Sequence, residues 1–487
     1  MTNWYQNNQY RLLFSIGPVS AFAAYFINPF SLTPEANKAV AVAILMVIWW
    51  ISEVLPMAAV ALIPLVLLPL LKISPIEEVA KSYSNPVIFL FMGGFMIGLA
   101  IEKWNLHKRI ALQIVRRTGT SGDRIILGFI IATAFLSMWL SNTATTMMMF
   151  PIALSVIAVM RENEKQGKGM NNFALVLMLV IAYASNFGGM ATVIGTPPNV
   201  AFVAYIEKKY GYTIQFIDWM MLCTPLVIVL LIMLYLVLTK WLFPNRIKKS
   251  NETTGLIHSE LAALGNLTGA EKRVLLIFSI TALLWITKDL VNQLKLFKLD
   301  DNMIAIIGAL ALFATPSGKD HKSKSKMLLN WEDTSKMAWG ILLLFGGGIA
   351  LAGSLEKVGV MEQIGSWLAE FSNMGNLMLL LVIVAVSIFL SELMSNVAQV
   401  IVLAPVLAAL ADALHLDPLL LGIPMTLAAS AASMLPMGTP PNAIVFSSGY
   451  IRMKDMIKAG FVMNLVSIVL ITLFVWLILP LIMHIAG

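Results

Sequence analysis

Ser137, Ser141, Asn142 and Thr143 place hydroxyl and amide oxygens within seven residues of one another in an otherwise apolar run, and Ser391, Ser395 and Asn396 repeat the pattern 254 residues later. Such neutral oxygens are hard ligands suited to an alkali cation, while an Asn N–H or a Thr O–H can donate to a carboxylate. A second motif, Gly-Thr-Pro-Pro-Asn, stands at 195–199 and recurs at 438–442. Proline cannot continue a helix and restrains the residue before it, so Thr196 and Thr439 are expected extended, each with a neighbouring carbonyl free. A helix broken inside a bilayer exposes N–H groups at one half-helix end and C=O groups at another, each end carrying roughly half an elementary charge. The first kind of end suits an anion and the second a small cation. Taken singly, each motif has a plainer reading: Ser-Asn at a tight turn is a common cap, and Gly-Thr-Pro-Pro-Asn a helix stop. Duplication in the same order favours the ion-binding role.

Elements that position such motifs follow from composition. Of 487 residues, 59% are hydrophobic and 12% charged, with mean hydropathy +0.83. Too few charges remain to cover a water-facing surface, so lipid is the expected solvent. Apolar runs that read as spans cover 12–30, 40–52, 57–71, 87–101, 173–206 (interrupted), 216–238, 274–286, 303–315, 337–355, 419–446 (interrupted) and 459–485. Two further runs, 125–160 and 375–411, do not fit simple crossings. The first holds 36 uncharged residues, about 54 Å as one helix against a hydrocarbon core of about 30 Å. Arg124 precedes it, Arg161, Lys165 and Lys168 follow it, and Ser141-Asn142-Thr143 breaks it near the middle. A re-entrant hairpin with both ends on one face satisfies these observations, and irregular backbone at that depth needs protein or a water-filled cavity around it.

An internal repeat organises the chain. The offset of 254 also relates Gly93-Gly94 to Gly347-Gly348, Glu102-Lys103 to Glu356-Lys357 and Pro151 to Pro405, and the pentapeptides follow at an offset of 243. Each copy carries five spans and a hairpin, an odd number of crossings, so the copies lie inverted in the membrane. With the N-terminus in the cytoplasm, 24 of the 33 Lys and Arg fall on the inner side, as the positive-inside rule requires. The net charge of +7 is therefore an orientation signal, not a sign of nucleic-acid binding. The expected fold class is an all-α polytopic membrane protein of about eleven transmembrane helices plus two re-entrant hairpins in two inverted repeats. Its expected divisions are a first helix (1–36), repeat one (37–243), a polar cytoplasmic linker (244–272) and repeat two (273–487). Segments 103–117 and 357–371 read as amphipathic interfacial helices, one on each face. Residues 1–10 are polar and uncharged, and no cleavable signal pattern follows them.

The two hairpin tips paired with the two Gly-Thr-Pro-Pro-Asn breaks resemble the divalent anion:sodium symporter family, carriers of C4-dicarboxylates, citrate and related anions, over essentially the whole chain. That resemblance implies a homodimer in the cell's inner (plasma) membrane, with a scaffold and a transport domain that carries substrate by an elevator motion. It implies a first sodium site at Ser137, Ser141, Asn142 and the Gly195 backbone, and a second at Ser391, the Met394 carbonyl, Asn396 and the Gly438 backbone. Substrate carboxylates would meet Asn142, Thr143 and Thr196 on one side and Asn396, Thr439 and Pro440 on the other. At the third tip position the second copy has Val397 where the first has Thr143, one donor fewer, worth about 0.5–1.5 kcal/mol if it would have bonded substrate.

The expected function is sodium-coupled symport of a C4-dicarboxylate such as succinate, malate or fumarate, with sodium co-transported. Rival readings are a dicarboxylate exchanger, a sodium/citrate carrier, and an anion channel or sensor on the same fold. Neither a nucleophile–base constellation nor a Walker-type loop is present, so an enzyme or an ATP-driven pump is not expected. The single Cys223 excludes a disulfide framework and thiolate metal centres. The glycine clusters at 93–94 and 346–348 read as helix-packing positions, Met147–Met149 as lipid- or core-facing filling, and His107 and His415 as solvated. Glu53 and Asp289, near span ends, read as structural. Glu392, three residues before Ser395, is an intramembrane acid with a functional reading and an equally open one as the lining of a wet vestibule.

Overall fold

In a bilayer every backbone group must find its partner within the chain, and the computed structural model meets that demand with helices. It describes residues 2–28, 32–119, 121–163, 168–245, 247, 251–295, 298–318, 326–370 and 375–482. Apart from a lone bridge between Pro316 and Met327, the regular structure of the described residues is helical. The first half comprises α1 (Thr2–Ile27), α2 (Pro34–Ser52), α3 (Met57–Val60), α4 (Ile63–Leu70), α5 (Ile76–Ser82), α6 (Pro86–Lys103), α7 (Leu106–Thr118), α8 (Gly122–Ser137), α9 (Asn142–Asn163), α10 (Lys168–Met190), α11 (Pro197–Tyr210) and α12 (Phe216–Leu236). Then come α13 (Asn251–Ala263), α14 (Gly269–Gln293), α15 (Asp301–Ala314), α16 (Trp339–Lys357), α17 (Val360–Glu370), α18 (Asn376–Ser391), α19 (Asn396–Ala413), α20 (Pro418–Ala429), α21 (Pro440–Phe446) and α22 (Met453–Ile482). Nine helical stretches among the described residues are individually long and apolar enough to cross a membrane.

Several helices start by one local rule, a polar residue followed by proline. Thr33, Asn85 and Asp417 accept from the N–H groups of Ala36, Val87 and Leu419, and Pro34, Pro86 and Pro418 occupy the first helical position. Thr196-Pro197 and Thr439-Pro440 use the same signal to restart helices in mid-chain. Both expected hairpins are present: α8 and α9 meet across residues 138–141, and α18 and α19 across 392–395. Both expected interruptions also occur, between α10 and α11 and between α20 and α21.

Some expectations change in detail. The run 57–71 is split between α3 and α4, with Pro64 in the first turn of α4. The Ala61 carbonyl at that split accepts from the Tyr83 hydroxyl and lies against Gly347. The run 274–286 extends through Lys288, whose charge is offset by a buried ion pair to Asp301 at 2.9 Å. The polar linker contains a helix, α13, whose Ile257 is buried. His107 is not solvated: it is buried on α7, and its Nδ1–H donates to the Ile101 carbonyl at 3.0 Å. His415, Glu53 and Asp289 are exposed, Glu53 ending α2 in a left-handed conformation. Met149 is core and Met147 is exposed. Residues 29–30 and 483–485 of the outermost spans, Phe371, and the basic residues Lys165, Arg246, Lys248, Lys249, Lys319, Lys322 and Lys324 lie outside the described residues.

Helix packing divides the chain into two groups. A frame is built from α1–α6 and α14–α16, with α16 lying against α2–α6. A second group, α8–α12 with α18–α22, carries both hairpins and both interruptions, and is organised around α10. From Phe173 to Met190 this helix is wholly buried, as an all-round apolar sequence demands. The glycine pairs do mark close packing: a Cβ on Gly93 would run into the Ala305 backbone and one on Gly348 into Ile401. The arms α7 and α17 each grip one hairpin through a glycine, Gly128 of α8 against Val115 and Gly365 of α17 against Ala409.

Candidate ion and anion site

The two hairpin tips are closed by the same bond. Ser137 Oγ donates to Asn142 Oδ1 at 2.7 Å, and Ser391 Oγ donates to Asn396 Oδ1 at 2.6 Å. Each links the last residue of one limb to the first of the next, which points the asparagine amide oxygen into the turn. Ser141 Oγ also accepts from Ala144 N at 3.2 Å, and the single Ser391 hydroxyl hydrogen is shared between Asn396 Oδ1 and the Ala429 carbonyl.

Each interruption faces its hairpin tip. Thr196 has φ −145° and ψ 140°, and Thr439 φ −144° and ψ 149°, so both are extended as the Thr-Pro sequence predicts. The following asparagines tie each break from within: Asn199 Nδ2 donates to the Gly189 and Thr192 carbonyls at 3.2 and 2.9 Å, and Asn442 Nδ2 to the Leu435 carbonyl at 3.1 Å. The amide oxygens of both are buried and without a partner. Gly195 packs on Gly189, and Gly189 packs on the Asn142 amide; a Cβ at either position would overlap its neighbour. Repeat one thus brings Ser137, Asn142 and Gly195 into one contiguous cluster. Ser141 and Thr143 stand beside it, half-buried, and Thr196 is buried with its hydroxyl not spent on capping α11.

In repeat two, Ser391 and Asn396 are joined directly and Met394 lies half-buried in the tip. Thr439 Oγ1 accepts from Asn186 Nδ2 at 3.1 Å and from Asn442 N at 3.4 Å. Asn186 belongs to α10, so this bond ties the two repeats together at their breaks. Pro440 is exposed at the start of α21, and Val397, half-buried at the start of α19, brings no polar group.

Glu392 is buried to 3% exposure. Its Oε1 accepts from Ser433 N, Met434 N and Asn464 Nδ2, each at 2.8 Å, and its Oε2 from Leu435 N at 2.9 Å. The carboxylate therefore collects the orphaned amides of the second break, and a Cβ on Gly438 would stand 3.0 Å from Oε2. It is no vestibule lining but the tie between hairpin and break. Sequence reasoning missed this partnership, and it missed Asn186, Gly189, Thr192 and Asn464. A polar residue within an apolar helix was the available signal for Asn186 and Asn464.

Beside the first tip lies a cavity of about 690 Å³. Hairpin one contributes Ser141, Thr143, Met147 and Met148 to its wall, the arm His107 and Lys108, and the linker helix Glu260. Lys108 and Glu260 pair across it at 2.9 Å. On the side of the second hairpin, α11, α16 and α19 close on a void of about 10 Å³ among Ala201, Phe345, Gly348 and Ile401, room for a single water. Two Asn–Ser clusters thus stand opposite two extended breaks, and the large cavity lies beside the first of them.

Comparison with known proteins gives concordant findings. Residues 11–483 match the family described as sodium:sulfate symporter transmembrane region. The chain is 40% identical over 458 residues to a "Sodium-dependent dicarboxylate transporter SdcS" of Staphylococcus saprophyticus, covering 93% of this chain and 88% of that protein. It is 39% identical over 467 residues to the protein of the same name from Staphylococcus aureus (strain USA300), covering 94% and 89%. Among solved structures it resembles the Alcanivorax borkumensis YdaH transporter, with a TM-score of 0.60 and 14% identity over 83% of this chain and 87% of that one, a likeness of fold.

Proposed function

The chain belongs to the sodium:sulfate symporter family, and from that premise we propose that it is a secondary active transporter that carries C4-dicarboxylates, succinate, malate and fumarate, together with sodium. Relatives named sodium-dependent dicarboxylate transporters, at about 40% identity over nearly the full chain, support both the coupling ion and the substrate class. The observation that carries the reading is the matched Ser–Asn bond at both tips, 2.7 and 2.6 Å, each opposite an extended threonine.

Sodium binds the oxygen-lined clefts behind the tips: Ser137, Ser141, Asn142 and the Gly195 carbonyl form the first site, and Ser391, the Met394 carbonyl, Asn396 and the Gly438 carbonyl the second. The two dicarboxylate ends take N–H and O–H donors from Asn142, Thr143 and Thr196 on one side and from Asn396 and Thr439 on the other, with Val397 and Pro440 shaping the cleft. The cations offset the substrate's negative charge, so the loaded group crosses the membrane without exposing bare charge to lipid. Its elevator stroke moves α8–α12 and α18–α22 past the frame in a homodimer. With the N-terminus in the cytoplasm, α13 and the 690 Å³ cavity face inward, which makes this the inward-open state of two inverted repeats.

Uptake of labelled succinate, fumarate, malate, citrate, tartrate and sulfate into proteoliposomes, in sodium and in choline media, tests the reading. Concentrative, sodium-dependent uptake of the C4 acids is expected. Equal uptake in choline would leave the exchanger, a preference for citrate the tricarboxylate carrier, and purely downhill conductance a channel. Asn142→Ala and Asn396→Ala should each abolish uptake, and normal rates in either would refute the site.

A further inference from the structure

The two ion sites are built at equivalent positions from different chemistry. At an offset of 254 Met138 corresponds to Glu392, and at 243 Thr192 corresponds to Leu435. In the first repeat these positions are joined by a neutral bond, Thr192 Oγ1 donating to the Met138 carbonyl at 2.6 Å. In the second they are joined by a charged one, Leu435 N donating to Glu392 Oε2 at 2.9 Å. The other Glu392 oxygen is saturated by Ser433, Met434 and Asn464, and every one of these four partners is neutral. Both of its oxygens act here only as acceptors, the hydrogen-bonding pattern of a carboxylate. Oε2 is the oxygen with acceptor capacity to spare, and it is the one beside Gly438.

We propose that Glu392 is a positioning residue that gives the second cation site a fixed negative charge the first site lacks, so that the second site binds sodium more tightly and fills first. This rests on the symport reading above. The carboxylate also holds residues 433–435 in place before any ion arrives, whereas the first break has one hydroxyl bond to its tip. A cation arriving at the second site therefore meets a formed cleft and a net attraction that buried surroundings screen little. The first site has neutral ligands alone, and its filling is left to higher sodium concentrations.

Thermal unfolding of the full-length protein in detergent, titrated with sodium at constant ionic strength in choline and without substrate, reads the two sites apart from transport. Wild type should gain stability in two phases. Glu392→Gln should move the phase at low sodium upward by at least about tenfold, and Ser137→Ala should move the other. Asn464→Ala removes one bond to the carboxylate but keeps its charge, and should leave both phases within about twofold. Folded Glu392→Gln with both phases unmoved would overturn the proposal, as would an Asn464→Ala shift as large as that of Glu392→Gln, since lost anchoring would then explain both. If Glu392→Gln does not accumulate, Glu392→Asp withdraws the charge by one methylene and should shift the same phase several-fold; no shift overturns the proposal equally. Wild-type protein indifferent to sodium in both unfolding and uptake would sink the symport reading itself, whereas sodium-driven uptake with a single unfolding phase would sink the proposal alone.

Discussion

Gly189 has no side chain because the Asn142 amide oxygen stands where its Cβ would be. Gly189→Ala must push the first hairpin tip away from the break, a packing cost of about 1–3 kcal/mol. We expect the variant to fold with a lowered Tm and a sodium half-saturation for uptake raised several-fold; unchanged sodium dependence would separate Asn142 from ion binding. His107 offers a pH readout outside the spans. Burial pushes its imidazole below the usual 6.5, so the folded protein binds fewer protons there than the unfolded chain does. Stability is then full above about pH 6.5 and falls as pH drops below it, levelling off only beneath the lowered folded value. Thermal unfolding between pH 5 and 8 should show that decline, and His107→Gln should flatten part of it. The residues of the two clusters were legible because their types recur at fixed offsets. Glu392 was legible as an anomaly but not as a tie, since its four partners are the backbone and side chain of residues 41 to 72 positions away and most are amides that every residue carries.

Among elements, the hairpins and breaks were written into the sequence by length and by proline. A run too long for one crossing with a polar tripeptide in its middle has few ways to sit in a bilayer, and Thr-Pro restarts a helix at both Gly-Thr-Pro-Pro-Asn breaks. What the pattern did not carry were features set by tertiary neighbours. The split at Ala61 depends on Tyr83 and Gly347, and the linker helix α13 depends on the arm it rests upon. That arm shows how: Arg109 pairs with Glu271 at 2.8 Å and donates to the Gly265 and Leu264 carbonyls just beyond α13. Both charges are buried, and Glu271 also closes the capping box with Thr268 that starts α14. Glu271→Ala leaves Arg109 desolvated and unpaired and should cost about 3–5 kcal/mol. A Tm in detergent close to the wild-type value would mean that the arm and linker are not held by this pair.

At the scale of the whole molecule, the large cavity lies beside the first hairpin tip, and the chain carries its own means of checking which face it opens to. Cys223 is fully buried in α12, whereas Met147 is exposed on the wall of the large cavity. Met147→Cys should react with a membrane-impermeant maleimide added from the cytoplasmic side, slow down in sodium plus succinate, and resist reagent added outside. Labelling from outside at the same rate would mean that the cavity faces the other way. The sequence predicted two copies of one plan in opposite orientations; it did not predict that a large cavity would lie beside the first tip, because two equivalent halves are indifferent to which of them yields. α10, buried throughout from Phe173 to Met190, links the two halves. It ends in the glycines that seat the first tip, and through Asn186 it holds Thr439 of the second break. On the symport reading proposed above, two ion sites borne on one rod would share a stroke, so a cation at either site would not cross while its companion stays behind. Leak without cargo would then be discouraged by shared mechanics, with a single helix keeping the ratio of ions to substrate in each cycle.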